Sequence, residues 1–298
     1  MADQATNSRF RNSLELADLV TLARQAGDAI MAIYQQPASA NISLKADDSP
    51  VTAADLAAHR IIAAALPQLL DVPLLSEEGE PASFAERRQW TRYWLVDPLD
   101  GTREFISRNG EFTVNIALIE AGKPVLGVVH LPVQQISYAA INLPAEGHCL
   151  VLRYEGDQPA GAICGRSLQV RRQGKQPLVM LASHRHNATA LRPLLGVLQA
   201  RWPGPIEVQH AGSSLKFCRL AEGSADFYPR HGLTSEWDTA ASQAILEAAG
   251  GALVEASAAH RGEWQPLVYN TGDSLLNPFF YALADKDADW LEVLKDMP

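Results

Sequence analysis

The chain has 298 residues, 47% of them hydrophobic and 20% charged, a composition typical of a soluble globular protein with one large or two ordinary domains. Its formal net charge of −9 argues against a nucleic-acid polymer as partner, because such partners are usually bound by a basic face. A small anion held through metal ions remains compatible with this charge. The apolar runs are too short for a membrane-spanning helix, and the first residues are too polar for a secretory signal.

The front half of the chain is expected to form an antiparallel sheet backed by helices. Apolar residues recur with a helical period over 13–36 and 52–70, and Pro67 leaves the last turn of the second helix open. Strand patterns follow at 74–75, 92–96, 112–120, 125–131 and 136–141. The Ala-Gly-Lys sequence after residue 120 predicts a hairpin turn.

The rear half alternates strands with helices, an order that favours a mixed or parallel sheet covered by helices. We expect strands at 178–182, 205–209 and 225–228, helices at 187–200, 214–222 and 238–250, short strands after Gly251 and near 267–269, and a short helix within 285–298. The pattern is weakest over 145–176. We therefore predict an N-terminal α+β metal-binding domain over 1–160 and a C-terminal α/β substrate-binding domain over 161–298.

The cysteines are odd in number and lack the spacing of metal ligands. Cys149, Cys164 and Cys218 are therefore interpreted as buried packing residues in a reducing compartment. From this we expect a cytoplasmic protein.

Acidic residues occur at the edges of several predicted elements, and each has an ordinary explanation. Asp238 and Asp55 lie in the first turns of helices, where a carboxylate caps free backbone N–H groups. Glu77 and Glu78 are compatible with a solvated surface turn. An aspartate before proline, as at Asp97, is typical of a turn opening.

The segment that resists an ordinary explanation is DPLDGT, residues 97–102, directly after the apolar strand that ends in WLV. A tight turn can aim the carboxylates of Asp97 and Asp100 in the same direction, where they repel unless a cation lies between them. Oxygen ligands select a hard cation such as Mg²⁺, and the scattered histidines offer no zinc site. Two Mg²⁺ ions sharing Asp97 would form a clamp for phosphoryl transfer.

Three separated motifs, LSEE, DPLDGT and WDTAA, occur in the order found in the inositol monophosphatase family, which the chain resembles over about residues 13–280. That family consists of Mg²⁺-dependent, lithium-sensitive phosphatases. The segments DSPVTAAD and GSSLKFC look most like its CysQ-type 3'(2'),5'-bisphosphate nucleotidases. These hydrolases remove the 3'-phosphate of adenosine 3',5'-bisphosphate, a by-product of sulfate assimilation, and leave AMP. The resemblance implies an α/β sugar-phosphatase fold, a layered αβαβα sandwich with an antiparallel front sheet and a mixed rear sheet.

The resemblance also implies a set of metal ligands for two or three Mg²⁺ ions. Glu77, Asp97 and the carbonyl of Leu99 would hold the first ion. Asp97, Asp100 and Asp238 would hold the second, and Pro98 would limit the turn so that the Leu99 carbonyl faces the metal.

The same resemblance implies roles in catalysis. Glu77 and Thr102 would position the attacking water and receive its proton. Asp55 would orient the Thr102 hydroxyl or hold a looser third ion through water. Gly101 and Thr102 would offer backbone N–H groups to the phosphate, beside Glu77, Leu99, Asp100 and Asp238.

Substrate contacts are expected from the rear half. By family analogy, Ser213, Lys216, Arg230 and His186 would meet the nucleotide, although a solvated surface lysine is an equally ordinary explanation for Lys216. An inositol or sugar phosphatase of the same family stays open, as does a non-catalytic sensor of Mg²⁺ and nucleotide. The sensor is disfavoured because the residues that would activate water are present. A monomer and a homodimer both remain possible, as does peripheral attachment to the cytoplasmic face of the inner membrane.

Overall fold

The computed structural model describes residues 13–36, 42–44, 50–156, 166–167, 177–184 and 188–297. The helices are α1 Ser13–Tyr34, α2 Ala53–Leu69, α3 Phe84–Arg87, α4 Thr102–Ile106, α5 Ala188–Arg201, α6 Leu215–Ala221, α7 Glu236–Ala248, α8 Ala256–His260 and α9 Trp290–Leu294. The strands are β1 Ile42–Leu44, β2 Pro50–Thr52, β3 Leu74–Ser76, β4 Arg92–Asp100, β5 Thr113–Glu120, β6 Lys123–Leu131, β7 Ile136–Leu143, β8 His148–Glu155, β9 Arg166–Ser167, β10 Leu178–Ala182, β11 Ile206–His210, β12 Phe227–Arg230, β13 Ala252–Glu255 and β14 Phe280–Leu283. None of the helices in these ranges is long and apolar enough to cross a membrane.

A large sheet contains the strands of the front half in the order β3-β4-β5-β6-β7-β8-β9. Its neighbours are antiparallel except β3 and β4, which are parallel. The predicted hairpin joins β5 to β6, and Ala121 and Gly122 both have positive φ there. The front sheet is therefore antiparallel with one parallel edge, and that edge places the end of β3 beside the end of β4.

A second, mixed sheet contains the strands of the rear half in the order β11-β10-β12-β14-β13. Strands β10, β11 and β12 run parallel, whereas β14 is antiparallel to both of its neighbours. This confirms the expected mixed sheet of the rear half.

The described residues form five layers held together by three hydrophobic clusters, one of which surrounds the middle layer of helices. Helices α1 and α2 pack on the outer face of the large sheet, α6 and α7 lie between the two sheets, and α5, α8 and α9 cover the outer face of the small sheet. Alternation along β4 shows the division: Trp94 and Val96 belong to the outer cluster, and Tyr93 and Leu95 to the cluster between the sheets. The expected αβαβα arrangement is confirmed.

Several boundaries differ from expectation for local reasons. Strand β8 lies inside the weakly patterned region, where Arg153 and half-buried positions mask its alternation. Strand β14 was not expected, because four consecutive apolar residues carry no period, and the segment near 267–269 contributes only a bridge between Val254 and Pro266. Helix α2 continues through Pro67, and Leu70 N–H still donates to the Leu66 carbonyl at 2.9 Å.

Among the cysteines, Cys218 is buried as expected, whereas Cys149 is exposed on β8 because that strand packs only part of its surface. Cys164 lies outside the described residues. The proposed division near residue 160 stays a prediction. Helix α7 of the rear half packs on the large sheet of the front half, so the core between the sheets draws on both.

Candidate active site

Asp97 and Asp100 lie at the end of β4, where its pairing with β5 is irregular. Asp97 pairs with Asn115 and Asp100 with Thr113, so three steps along β4 match two along β5. Such an extra residue is a β-bulge. Side chains three positions apart in a regular strand point to opposite faces, and the bulge instead brings both aspartates to the face between the sheets.

Asp238 reaches the same point from the first turn of α7. Single carboxylate oxygens of Asp97, Asp100 and Asp238 all lie within 4.8 Å of one another. Burial raises the pKa of Asp97 well above its usual range, and the charges of Glu77, Asp100 and Asp238 raise it further. Burial, followed by the charges of Asp100 and Glu77, also raises the pKa of Asp238 to about 8. Crowded, dehydrated carboxylates of this kind are stabilised by a hard cation, so the donor set fits Mg²⁺.

Glu77 comes from the end of β3 and completes the acidic cluster. Its backbone N–H donates to the Val96 carbonyl at 3.1 Å, a consequence of the parallel pairing of β3 with β4. Its half-buried side chain hydrogen-bonds with Asp97. The explanation of Glu77 as part of a solvated turn is therefore wrong. Leu99 donates its N–H to Asp97 Oδ1 at 3.0 Å and packs its side chain in the core.

Asp238 and Asp55 also cap the N-termini of their helices. Each is the third helical residue of a capping box, in which Ser235 or Thr52 is the N-cap. Asp238 Oδ2 accepts from Ser235 N–H at 2.9 Å, and Asp55 Oδ2 accepts from Thr52 N–H at 2.8 Å. Because the cap uses one carboxylate oxygen, a role for the other oxygen is compatible with it.

The side chains of Asp55 and Thr102 are hydrogen-bonded to each other. Thr102 Oγ1 donates to Asp55 Oδ1 at 3.2 Å. Asp55 is only 1% exposed, and this burial raises its pKa against the lowering effect of hydrogen bonds from Thr52. Gly101 precedes Thr102 with φ of 91°, a conformation that favours glycine, and ends β4 so that α4 can begin.

In the part of the chain that the structure describes, four side chains donate hydrogen bonds to Asp100, and the sequence had indicated only Ser213 among them. The hydroxyls of Ser213 and Ser214 donate to Asp100 Oδ2 at 2.7 and 2.9 Å. Thr113 Oγ1 and Asn115 Nδ2 donate to the same oxygen at 3.4 Å. A signal was available in the sequence, because Thr113 and Asn115 are polar residues at alternate positions of a strand that is otherwise apolar up to Glu120.

A cleft of about 450 Å³ extends from the acidic cluster into the rear half. Its lining includes Asp100 and Asp238 of the acidic cluster, which we name the acidic end, and Lys216 and Arg230, which we name the basic end, with Tyr228 in the wall. The cleft is therefore lined by both acidic and basic side chains.

Lys216 is 4% exposed, so its explanation as a solvated surface lysine is wrong. Its Nζ donates to the carbonyls of Ser213 at 2.7 Å and Ala211 at 3.3 Å, and lies 5.1 Å from the centre of the Tyr228 ring. Burial lowers the pKa of Lys216 to about 8, although the charge of Asp100 acts in the opposite direction. Lys216 is thus a buried cation that also holds the loop before α6.

Arg230 is anchored in a comparable way, with Nε donating to the Gly232 carbonyl at 3.2 Å and an Nη to that of Leu233 at 2.8 Å. His186 lies outside the described residues. His184, two residues earlier in the chain, contacts Glu111, and its Nε2 atom lies 2.6 Å from Glu111 Oε2. Neither Glu111 nor His184 was identified from the sequence as a site residue.

Residues 13–288 match the family described as the inositol monophosphatase family. The chain belongs to that family. It is 46% identical over 268 residues to the 3'(2'),5'-bisphosphate nucleotidase CysQ of Escherichia coli, covering 89% of this chain and 98% of the relative. The protein of the same description from Salmonella typhimurium is 47% identical with the same coverage.

Solved structures agree with this membership. A crystal structure of CysQ from Bacteroides thetaiotaomicron, described as a bacterial member of the family, superposes with a TM-score of 0.76 at 36% identity and covers 93% of this chain and 99% of its own. An inositol monophosphatase from Zymomonas mobilis superposes with a TM-score of 0.66 at 24% identity, covering 93% of this chain and 97% of its own. The second likeness concerns the fold alone.

Proposed function

We propose that the protein is a Mg²⁺-dependent phosphatase that hydrolyses the 3'-phosphate of adenosine 3',5'-bisphosphate to give AMP and phosphate. The observation that carries this proposal is the cleft, which is lined by the acidic cluster, by the buried cation Lys216 and by the half-buried cation Arg230. A substrate with two phosphates can place the reacting phosphate at the acidic end and the other at the basic end. The names of the bacterial relatives point to the same substrate class.

The acidic residues would hold the metal ions. We assign Glu77, Asp97 and the Leu99 carbonyl to one Mg²⁺, and Asp97, Asp100 and Asp238 to a second, so that Asp97 is shared. Oδ2 of Asp100 accepts the hydrogen bonds described above, and Oδ1 is the oxygen we assign to the cation. Bound Mg²⁺ would lower the pKa of a water molecule and offset charge on the phosphate.

Thr102 and Asp55 would orient the attacking water. Because the Thr102 hydroxyl donates its proton to Asp55, its oxygen lone pairs are available to accept a hydrogen bond from water. Asp55 is held by its own helix cap, which fixes the direction of that hydroxyl. Glu77, which hydrogen-bonds with Asp97, would receive the proton of the water. A third ion held through Asp55 belongs to the same proposal.

The basic end would select the substrate. Lys216 and Arg230 are both anchored to backbone carbonyls, so their charges are preorganised for a phosphate. Ser213 would add a hydroxyl beside them.

A cytoplasmic location and a monomeric or homodimeric state complete the proposal. The described cysteines, Cys149 and Cys218, form no disulfide, which agrees with a reducing compartment. Peripheral association with the inner membrane is an alternative within the same proposal.

Phosphate release from adenosine 3',5'-bisphosphate and from inositol 1-phosphate, measured side by side with Mg²⁺, tests the function. We expect faster release from the bisphosphate, Mg²⁺ dependence, and inhibition by added Li⁺. A preference for inositol 1-phosphate would instead identify an inositol phosphatase, and release from neither would favour a sensor without catalysis.

A further inference from the structure

We propose that Glu111 is a positioning residue for Asp100, because it fixes the loop whose serine hydroxyl holds the Asp100 carboxylate. This inference rests on the proposed function insofar as Asp100 is taken as a metal ligand. Glu111 lies just before β5, outside the acidic cluster, and none of the motifs discussed above includes it.

The first link joins Glu111 to the loop that precedes α6. Its Oε2 atom accepts the backbone N–H of Gly212 at 2.6 Å and lies 2.6 Å from His184 Nε2. Gly212 packs directly against the same segment, since a Cβ there would lie 2.9 Å from the Glu111 carbonyl oxygen and 2.9 Å from Glu104 Cγ. The loop is therefore seated on Glu111 by both side-chain and backbone contacts.

The second link joins the loop to the metal site through Ser213. Ser213 has φ of 48°, a left-handed conformation that is unfavourable for a residue with a Cβ and persists only where the surroundings hold it. In that conformation its Oγ donates to Asp100 Oδ2 at 2.7 Å and lies 2.6 Å from Thr113 Oγ1. Lys216 holds the Ser213 carbonyl from the other side at 2.7 Å.

The geometry therefore describes a relay of contacts from Glu111 through Gly212 and Ser213 to one carboxylate oxygen of Asp100. Residues that orient a metal ligand typically affect metal affinity by about 10- to 100-fold when they are changed. Glu111 is one step further from the metal than Ser213, so we expect an effect near the lower limit.

Two conservative variants separate positioning from charge. Glu111→Gln keeps the length of the side chain and an oxygen that can accept from Gly212, but removes the charge and the ion pair with His184. Glu111→Asp keeps the charge but is too short by one methylene to reach Gly212. Positioning predicts that the aspartate variant is affected, whereas an effect of charge alone predicts the reverse.

The test is calorimetric titration of the metal-free protein with Mn²⁺, which requires no turnover. We expect Glu111→Asp to weaken Mn²⁺ binding by about 10-fold and Glu111→Gln to stay within about threefold of the natural protein. Glu120→Asp is a matched control, because Glu120 ends β5, the strand that Glu111 precedes, and is also ion-paired, to Arg92 at 2.9 Å, at the end of β5 opposite the cluster. Thermal unfolding of each variant confirms that the fold is retained.

A double-mutant cycle with Ser213→Ala tests the relay itself. If Glu111 acts through Ser213, Glu111→Asp should weaken Mn²⁺ binding much less in the Ser213→Ala background than in the natural one. Additive effects, or an aspartate variant that binds Mn²⁺ as the natural protein does, would overturn the proposal for Glu111. A natural protein that binds no Mn²⁺ would contradict the proposed metal site as well, so the two failures are distinguishable.

Discussion

The two ends of the cleft hold their charges in opposite ways. At the acidic end, carboxylates lie close together, and burial, with their mutual repulsion in addition, raises the pKa values of Asp97 and Asp238. At the basic end, Lys216 and Arg230 each donate to backbone carbonyls. The acidic end is thus unfavourable without an added cation, whereas the basic end is already satisfied by the protein.

This difference suggests a division of roles, in which the acidic end carries out the chemistry and the basic end selects the substrate. The acidic end assembles from β3, β4 and α7, the elements that carry the three family motifs, so it accounts for what the chain has in common with phosphatases of different substrates. The basic end depends on α6, which carries Lys216, and on β12, which carries Arg230. Changes at the acidic end should therefore act mainly on turnover, and changes at the basic end mainly on KM.

The largest effect is expected from Asp97→Asn at the acidic end. The substitution keeps the shape of the side chain but removes the charge that both metal ions would share. Loss of a residue that only supports a metal ligand can lower activity by about 100-fold, so kcat for adenosine 3',5'-bisphosphate should fall by more than that. Asp71→Asn, which changes an exposed aspartate near the opposite end of β4, is the control. A kcat close to that of the natural protein would contradict the assignment of Asp97 as the shared ligand.

Thr102→Val tests the edge of the acidic end. It preserves size but removes the hydroxyl that donates to Asp55, so we expect kcat to fall by about 100-fold, within the range for lost proton-transfer partners. Thr102→Ser keeps the hydroxyl and should retain most of the activity. If both variants had equal activity, the hydroxyl would have no role in orienting water.

At the basic end, Lys216→Met should raise KM for the bisphosphate by about 10-fold, the effect of losing one hydrogen bond to a charged group. KM for a simple phosphomonoester should change much less, because that substrate has no second phosphate to reach the basic end. Lys123→Met, at an exposed lysine, is the control. An equal rise for both substrates would show that Lys216 acts through the loop it holds and not through the second phosphate.

The smallest effect is expected on stability. Asp97 and Asp238 have raised pKa values in the folded state, about 8 for Asp238, so the folded state binds more protons than the unfolded state. Their stabilising contribution is present at low pH and is lost as pH rises through the folded pKa. In a chelator, the thermal midpoint should therefore fall by a few degrees between about pH 5 and pH 8, and Mg²⁺ should reduce that fall. In this range, a midpoint that rose with pH in the chelator would contradict the account of the acidic end.

Much of the fold could be predicted because each core element carries its own period. The alternation of β5 and the helical stripe of α1 are visible without knowledge of the partner elements. Strand β14 could not be predicted in this way, because its four apolar residues have no period. The parallel pairing of β3 with β4 could not be predicted either, because it joins strands that are separated in sequence.

The candidate site divides in the same way. The motifs identify Asp97, Asp100 and Asp238 as candidate ligands. Their close approach depends on the bulge in β4, and no residue pattern in the sequence predicts that bulge. The supports of Asp100 could be found only in part, since Ser214 and Asn115 become neighbours through long-range packing. Glu111 is harder still, because its role depends on a loop about a hundred residues away.

The most direct test of the central claim is diffraction from crystals grown with Mn²⁺ and collected at a wavelength where manganese scatters anomalously. The account predicts at least two anomalous peaks at the end of β4, both at coordination distance from Asp97, one also bound by Glu77 and the other by Asp100 and Asp238. Peaks located elsewhere, or an acidic cluster without manganese at a saturating concentration, would contradict it.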